Sequence, residues 1–383
     1  MKLTRSGCVV PDTPEIKKEL TVRPIVNADF GVAPPSFKVF RKAKSGLCVP
    51  RYYAEEKFGK VTEDIRPKPE KIKISFKGKL RDETHQNEAL SKAIEAGHGI
   101  LSLPCGFGKT TVSLAIACKL GYRTMIVVHK EFLANQWKER IQQFCPGASI
   151  GIVQQNKKEV DCDFVIAMLQ SLSLKEYSFE DFDSIGTLIV DEAHHICAKV
   201  FSQSLFKLCP KHAFGLSATP NRKDGLTKVL HWFMGPTFFS VERKNQDQVD
   251  MFPLVYTCPR FEDPPPCTRF GKLSLPTMIT ELTEMPDRNR LILQTIKDLA
   301  KTTRQILVLS DRRFHCEYLH NKFKTTSGLY MGGMKEEELA ESSKKQIIFA
   351  TFSQAHEGLD IPTLDTVILA TPKSDIVQSI GRI

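Results

Sequence analysis

The sequence predicts an α/β protein of two parallel-sheet domains, with a small basic region ahead of them. Three observations predict this. From about residue 81, short apolar runs of strand length alternate with stretches of helical period, as strands joined by crossover helices do. At 383 residues the chain exceeds the roughly 250–300 residues at which a single core stops growing. A proline-rich stretch over 242–287, containing FEDPPPCTRFGKLSLP, interrupts the rhythm, and alternation resumes after it.

Residues 1–80 are rich in Pro and Lys, with short strand-like pieces at Phe37–Phe40 and Ile72–Phe76, and read as a partly irregular accessory region. In 81–241 the strand-like runs are Ile100–Leu103, Thr124–Val128, Phe164–Met168, Thr187–Val190 and Ala213–Leu216. Between them, Glu131–Phe144 places Leu133, Trp137, Ile141 and Phe144 on one helical face. Residues 242–287 read as a connector, with room for a small hairpin. In 288–383 a helix over Arg290–Lys301, a strand over Gln305–Leu309, a helix over Phe314–Phe323 and strands over Gln346–Ala350 and Thr366–Leu369 are expected. Parallel strands with right-handed crossovers follow from such alternation.

Composition narrows the class. With 41% hydrophobic and 26% charged residues, the chain is no disordered tail, collagen-like fibre or small disulfide scaffold. No apolar run reaches the ~20 residues that span a bilayer, and the first residues lack the apolar stretch of a secretory signal, so no membrane partner is expected. The 11 cysteines form no C-x-x-C pair or zinc-finger spacing. Free, buried thiols in a reducing intracellular compartment are expected. Residues 1–80 hold 18 Lys+Arg against 9 Asp+Glu, +9 of the total of +10. A polyanionic partner accounts for this, as would a merely solvated surface.

The strongest local signal is LPCGFGKTT, spanning Leu103, Pro104, Cys105, Gly106, Phe107, Gly108, Lys109, Thr110 and Thr111. It lies between a strand and a helix, the context of a phosphate-binding loop. Gly106 and Gly108 let successive N–H groups curl toward phosphate oxygens, and the helix N-terminus adds positive potential. Lys109 would reach the β and γ phosphates, and the Thr110 hydroxyl would ligate Mg²⁺. The first glycine of the usual pattern is Leu103 here; a glycine-rich turn with an incidental lysine would look similar. The second signal is TLIVDEAHH, in which an apolar strand delivers Asp191 and Glu192 to its C-terminal end, where open α/β sheets bind ligands. Asp191 would hold Mg²⁺, and Glu192 would act as general base on the attacking water. A solvated acidic turn is the plain alternative.

With these residues in order, the chain resembles the superfamily 2 helicases. GFGKTT resembles motif I, VVHKEFLANQW motif Ia, AMLQSL the nucleic-acid-contacting motif after it, DEAHH motif II and SATP motif III. ILVLSDR resembles motif IV, ATFSQAHEGLDIP motif V, and QSIGR the start of motif VI. The likeness covers residues 80–383. It implies two RecA-like domains, the second incomplete, with ATP between them. Arg81 and Gln86 would touch the adenine; of the nucleotide-binding pair Gly358 and Asp360 in motif V, the acidic residue would contact the ribose and the flanking backbone the strand. Gln378 and Arg382 would face the γ phosphate. His194, Ser217, Ala218 and Thr219 would couple the metal site to the nucleic-acid groove. His129, Lys130, Gln170, Ser171 and His356 are the candidates for strand contact, although the two histidines read equally well as satisfied loop residues. Trp137 reads as core.

SATPNRKDGLTKVLHWFMGP and CVPRYYAEEKFGK further resemble the XPB-like branch, in particular the transcript-release helicases of poxviruses and other large DNA viruses. Lys223 replaces the glutamate of that branch's Arg-Glu-Asp element, between Arg222 and Asp224. The resemblance implies ATP and Mg²⁺ as cofactors, DNA favoured over RNA, movement 3′ to 5′, a monomer, and transcription machinery as a further partner. If the source is viral, host cytoplasm or virion is the expected location. The sequence stops two residues short of the second arginine of QxxGRxxR, which reads as a truncation within motif VI. It implies slow turnover and exposed apolar surface where a later helix would pack. The alternative function is a nucleotide-gated nucleic-acid-binding module with little hydrolysis. A nucleotide kinase would leave SATP and EGLDIP without a purpose.

Overall fold

The structure is a computed structural model. It describes residues 1–25, 34–104, 106–218, 221–222, 224–241, 249–258, 268–269, 272–359, 361–373 and 376. The described residues fall into two compact units, the first within Met1–Val26 and Ala33–Gln246, the second within Asp247–Ile383.

The first unit is built on an eight-stranded sheet. Its order is Lys157–Lys158, Ile150–Gln154, Phe164–Met168, Thr124–Val128, Thr187–Val190, His212–Ser217, His98–Ser102, Thr237–Ser240. All neighbours are parallel except the edge pair Ile150–Gln154 and Lys157–Lys158. The central strands are mostly apolar, with polar residues such as Thr124, Thr187 and Ser217 at their ends, because both faces of a parallel sheet are covered. Alternate side chains serve opposite cores: Met125, Val127, Leu188 and Val190 join one, Ile126, Val128 and Ile189 the other. Each such side chain, fully buried, stabilises the fold by about 1.5–3 kcal/mol.

The N-terminal region forms the cover of the first core. A five-stranded sheet runs in the order Arg41–Ala43, Gly46–Val49, Gly7–Val10, Lys2–Thr4, Glu63–Asp64. Its Leu3, Val10 and Leu47, with Tyr53 of the following helix, pack in the same cluster as Val127 and Val190. Helix Arg51–Phe58 lies against helix Thr227–Met234, with Tyr53 edge-on to Trp232 at 5.5 Å. Polar ties reinforce the seam: Arg41 donates to the Gln203 carbonyl at 2.7 Å, and Arg66 to the Pro210 carbonyl at 2.6 Å.

In the second unit Ser327–Tyr330, Ile347–Thr351, Ile306–Ser310 and Thr366–Leu369 form a parallel four-stranded sheet in that order. Ile306 and Val308 face one core, and Leu307 and Leu309 the other. His315 is buried beside this sheet, within hydrogen-bond distance of Ser310 Oγ (3.0 Å) and Asn289 Oδ1 (2.9 Å).

Several elements depart from expectation. Ile72–Phe76 is extended but not a strand; only Lys71 bridges to Tyr122. Its alternating pattern reflects Ile74 and Phe76 packing onto the second core from outside the sheet. The stretch read as connector holds, besides a short hairpin of Thr268–Arg269 with Lys272–Leu273, the helix Leu275–Glu284. Pro276 is tolerated there because it lies in the first turn, after the Ser274 cap, where its missing N–H has no helical partner. The strands Ile150–Gln154, Thr237–Ser240 and Ser327–Tyr330 lack a continuous apolar run, and pairing with a stronger neighbour defines them.

Candidate active site

The strand His98–Ser102 runs into the glycine-rich loop, and helix Lys109–Leu120 leaves it. The loop is pinned at two points. Leu103 N–H donates to the Ser217 carbonyl at 3.0 Å. Phe107 is buried in the second core, so the residue between the glycines anchors the curl. Gly106 and Gly108 have φ of +77° and +89°, the left-handed region that favours glycine. A Cβ on Gly108 would come within 2.7 Å of Gln86 Nε2, whereas Gly106 has nothing within 4 Å. Pro104, Thr110 and Thr111 are half-buried beside them; Cys105 lies outside the described residues.

Arg81 and Gln86 brace this loop. Gln86 is buried; its Nε2 donates to the Phe107 carbonyl at 2.5 Å, and its Oε1 accepts from Arg81 N–H at 2.8 Å. The Arg81 guanidinium donates to the Gly106 and Phe107 carbonyls at 3.2 Å. Both residues expected near adenine are thus tied to the loop backbone.

The strand Thr187–Val190 delivers the acidic pair beside this loop. Asp191 N–H donates to the Val127 carbonyl at 3.0 Å. Its Oδ1 accepts from Glu192 N–H at 3.0 Å, and its Oδ2 from the Trp137 indole N–H at 2.9 Å. Loss of solvation in this packed setting, together with the Glu192 charge, pushes the Asp191 carboxyl above the usual range; Lys109 and the indole bond oppose the shift. Glu192 adopts φ +45°, uncommon for a residue with a side chain and a sign of stored local strain. That turn carries its carboxylate to Lys109, with Nζ 3.3 Å from Oε1 and both side chains mostly buried. His194 Nδ1 lies 3.5 Å from Glu192 Oε2 and 3.2 Å from Ser217 Oγ. The structure therefore brings together Lys109, Asp191, Glu192, His194 and Ser217, with Thr110 at the start of the same helix.

The other candidates are placed as follows. His129 is buried, and its ring lies 4.0 Å from that of His195, which in turn lies 4.3 Å from that of His194. The His129 carbonyl accepts from Gln170 Nε2 at 2.6 Å, and the buried Ser171 accepts from Gln155 N–H at 2.9 Å. Lys130 is half-buried, its ammonium 5.8 Å from the Phe132 ring centre. Ala218 follows the strand His212–Ser217. Arg222 is paired with Asp224 and donates to the His194 carbonyl at 2.7 Å. The backbone of His356 and Gly358 lies in helix Phe352–Gly358. Thr219, Lys223, Asp360, Gln378 and Arg382 lie outside the described residues.

Sequence reasoning missed two members of this cluster. Trp137 is core, as its spacing implied, yet its N–H reaches a carboxylate of motif II. His195 packs between His194 and His129, its ring tilted to each. The helical face of Trp137 gave its burial; nothing in the spacing gave its polar partner.

Comparison with known proteins accords with this geometry. Residues 78–222 match the family described as type III restriction enzyme, res subunit. The chain is 35% identical, over its whole length and 78% of the relative's, to the provisionally named ATP-dependent RNA helicase L396 of Acanthamoeba polyphaga mimivirus. It is 28% identical to the provisionally named helicase 161L of Invertebrate iridescent virus 6, covering 97% of this chain and 88% of that one. Among solved structures, the Mycobacterium smegmatis helicase Lhr, bound to ssDNA and AMP-PNP, aligns with a TM-score of 0.52 at 19% identity. That alignment covers 78% of this chain and 43% of Lhr, and shows the RecA-like fold. The chain belongs to the superfamily 2 helicases, with relatives in large DNA viruses, and is an ATP-hydrolysing enzyme that binds nucleic acid.

Proposed function

We propose that the chain is a DNA translocase of the XPB-like branch that couples hydrolysis of Mg²⁺-bound ATP to 3′-to-5′ movement, in transcription or repair. Within this reading 81–241 is the ATP-binding RecA-like domain, and 288–383 belongs to the second. The observation that supports its ATP-hydrolysing part is the Lys109–Glu192 contact of 3.3 Å at the mouth of the glycine loop, with Asp191 alongside; the DNA preference and direction rest on the likeness to the XPB-like branch. The arriving triphosphate takes Lys109 from Glu192. Glu192 is then released beside the phosphates as an acceptor for a water proton. Loop N–H groups and the helix N-terminus at Lys109 hold the phosphate charge.

The donor set suits Mg²⁺. Among the described residues no three His, Cys, Asp or Glu side chains gather as a metal site. Mg²⁺ that arrives with a nucleotide uses one or two protein oxygens and completes its shell with phosphate and water; Asp191 and Thr110 would supply them. The ion would neutralise charge developing on the phosphates. The path from chemistry to strand is Glu192, His194 and Ser217, with His194 touching both partners. Arg222, bonded to the motif II backbone at His194 and paired with Asp224, supports the XPB-like assignment.

The name of the mimivirus relative, an RNA helicase, favours RNA as a second reading. ATPase rates with single-stranded DNA, duplex DNA and RNA separate the two. DNA is expected to stimulate turnover more than RNA, and Lys109→Ala to abolish it. Stimulation by RNA alone would overturn the DNA assignment. Turnover persisting in the Lys109→Ala chain would overturn the site.

A further inference from the structure

We propose that Trp137 is a positioning residue for Asp191: its indole N–H fixes the carboxylate in the orientation that serves the Mg²⁺–nucleotide. This rests on the site reading above and adds to it a residue outside the phosphate loop and the acidic pair. Trp137 is 1% exposed on the inner face of helix Glu131–Phe144, and its Nε1 lies 2.9 Å from Asp191 Oδ2. A core tryptophan needs only some acceptor for its single donor, and a backbone carbonyl would do. Here the acceptor is the carboxylate that follows the central strand Thr187–Val190.

The geometry is two-sided. Oδ1 is held by Glu192 N–H and Oδ2 by the indole, so rotation of the carboxylate about its own axis would break both bonds. Each oxygen keeps lone-pair capacity for a further partner, because a carboxylate accepts about four hydrogen bonds. Groups that hold a metal-facing carboxylate in this way typically change metal affinity or activity by about 10–100-fold when removed. The same helix begins directly after His129 and Lys130, two of the candidates for strand contact. The indole is therefore a direct mechanical link between that helix and the acidic pair.

The test uses the full chain, which has two tryptophans. With 5-fluorotryptophan incorporated, the ¹⁹F resonances of Trp137 and Trp232 are assigned with a Trp232→Phe chain. The Trp137 signal is expected to move on addition of AMP-PNP with Mg²⁺, and to move less with AMP-PNP in EDTA. In calorimetry Trp137→Phe, which removes the N–H and keeps an aromatic ring, should raise the Mg²⁺ concentration for half-maximal AMP-PNP binding about tenfold. Binding in EDTA should stay within about twofold, since the loop is untouched. Mg²⁺ saturation of Trp137→Phe at the wild-type concentration would overturn the inference. If that variant does not fold, a Trp137 resonance indifferent to Mg²⁺ in the otherwise native chain would overturn it. Failure of the wild-type chain to bind AMP-PNP at all would instead remove the site reading, and the inference with it.

Discussion

Replacing Glu192 by Gln should tighten nucleotide binding while stopping hydrolysis. Lys109 Nζ sits 3.3 Å from Glu192 Oε1, with side-chain exposures of 15% and 12%. At an effective dielectric constant of about 20, the gross attraction across that distance is about 5 kcal/mol. Desolvation of the two charges cancels much of it, leaving about 1.5–3 kcal/mol for a hydrogen bond to a charged group. A glutamine in the same place would keep a neutral-acceptor bond of about 0.5–1.5 kcal/mol. The competitor that the triphosphate must displace is thus weaker by about 1–1.5 kcal/mol, or roughly five- to tenfold in Kd. Titration calorimetry with AMP-PNP measures this directly. To separate it from simple relief of repulsion, a cycle of Lys109→Ala, Glu192→Gln and the double variant is followed by denaturant unfolding without nucleotide. A coupling of about 1 kcal/mol or more is expected. Unchanged or weaker binding in Glu192→Gln, or a coupling inside error, would refute the displacement argument.

Three further outcomes follow from the packing. Gly108→Ala should destabilise the first unit by about 1–3 kcal/mol, because it imposes a side chain at φ +89° against Gln86; urea unfolding checks this, and an unaffected midpoint would contradict it. Ser217→Ala removes the His194 contact and should cost about 1 kcal/mol of stability. It should also lower the ratio of nucleic-acid-stimulated to basal ATPase; an unchanged ratio would break the proposed coupling path. Burial beside Arg288 lowers the His315 pKa to about 4. Its unfolded form takes up a proton near pH 6.5 while the folded form does not, so its contribution is complete above pH 6.5. That contribution falls away as pH drops toward 4, by about 3 kcal/mol in all. His315→Gln should flatten this acid slope in a melting series between pH 7 and 4, and an equally steep slope would reassign it.

The strands that carry the site were the most legible part of the fold. Phe164–Met168 is apolar at every position, Thr124–Val128 and Thr187–Val190 at every position after the leading threonine, and the structure forms all three over those same residues. Burial on both faces of a parallel sheet leaves such an imprint. The N-terminal sheet was not legible. Its strands are three or four residues long apart from the two-residue edge, rich in lysine and glycine, and are defined by long-range pairing such as Val9 with Cys48. In the site, Lys109, Asp191 and Glu192 could be read from residue type and spacing. The Lys109–Glu192 pair and the Trp137 bond could not, since both depend on where a loop and a helix come to rest in space.

The seam between the N-terminal strands and the large sheet bears on how this enzyme can be handled. A shortened chain starting at Arg81 would keep every helicase signature yet strip Leu3, Val10, Leu47 and Tyr53 from the core they share with Val127 and Val190. The bared sheet would be an adhesive surface, prone to clumping. Trimming toward a minimal motor would thus trade away solubility, and a sound dissection would leave the amino-terminal strands in place.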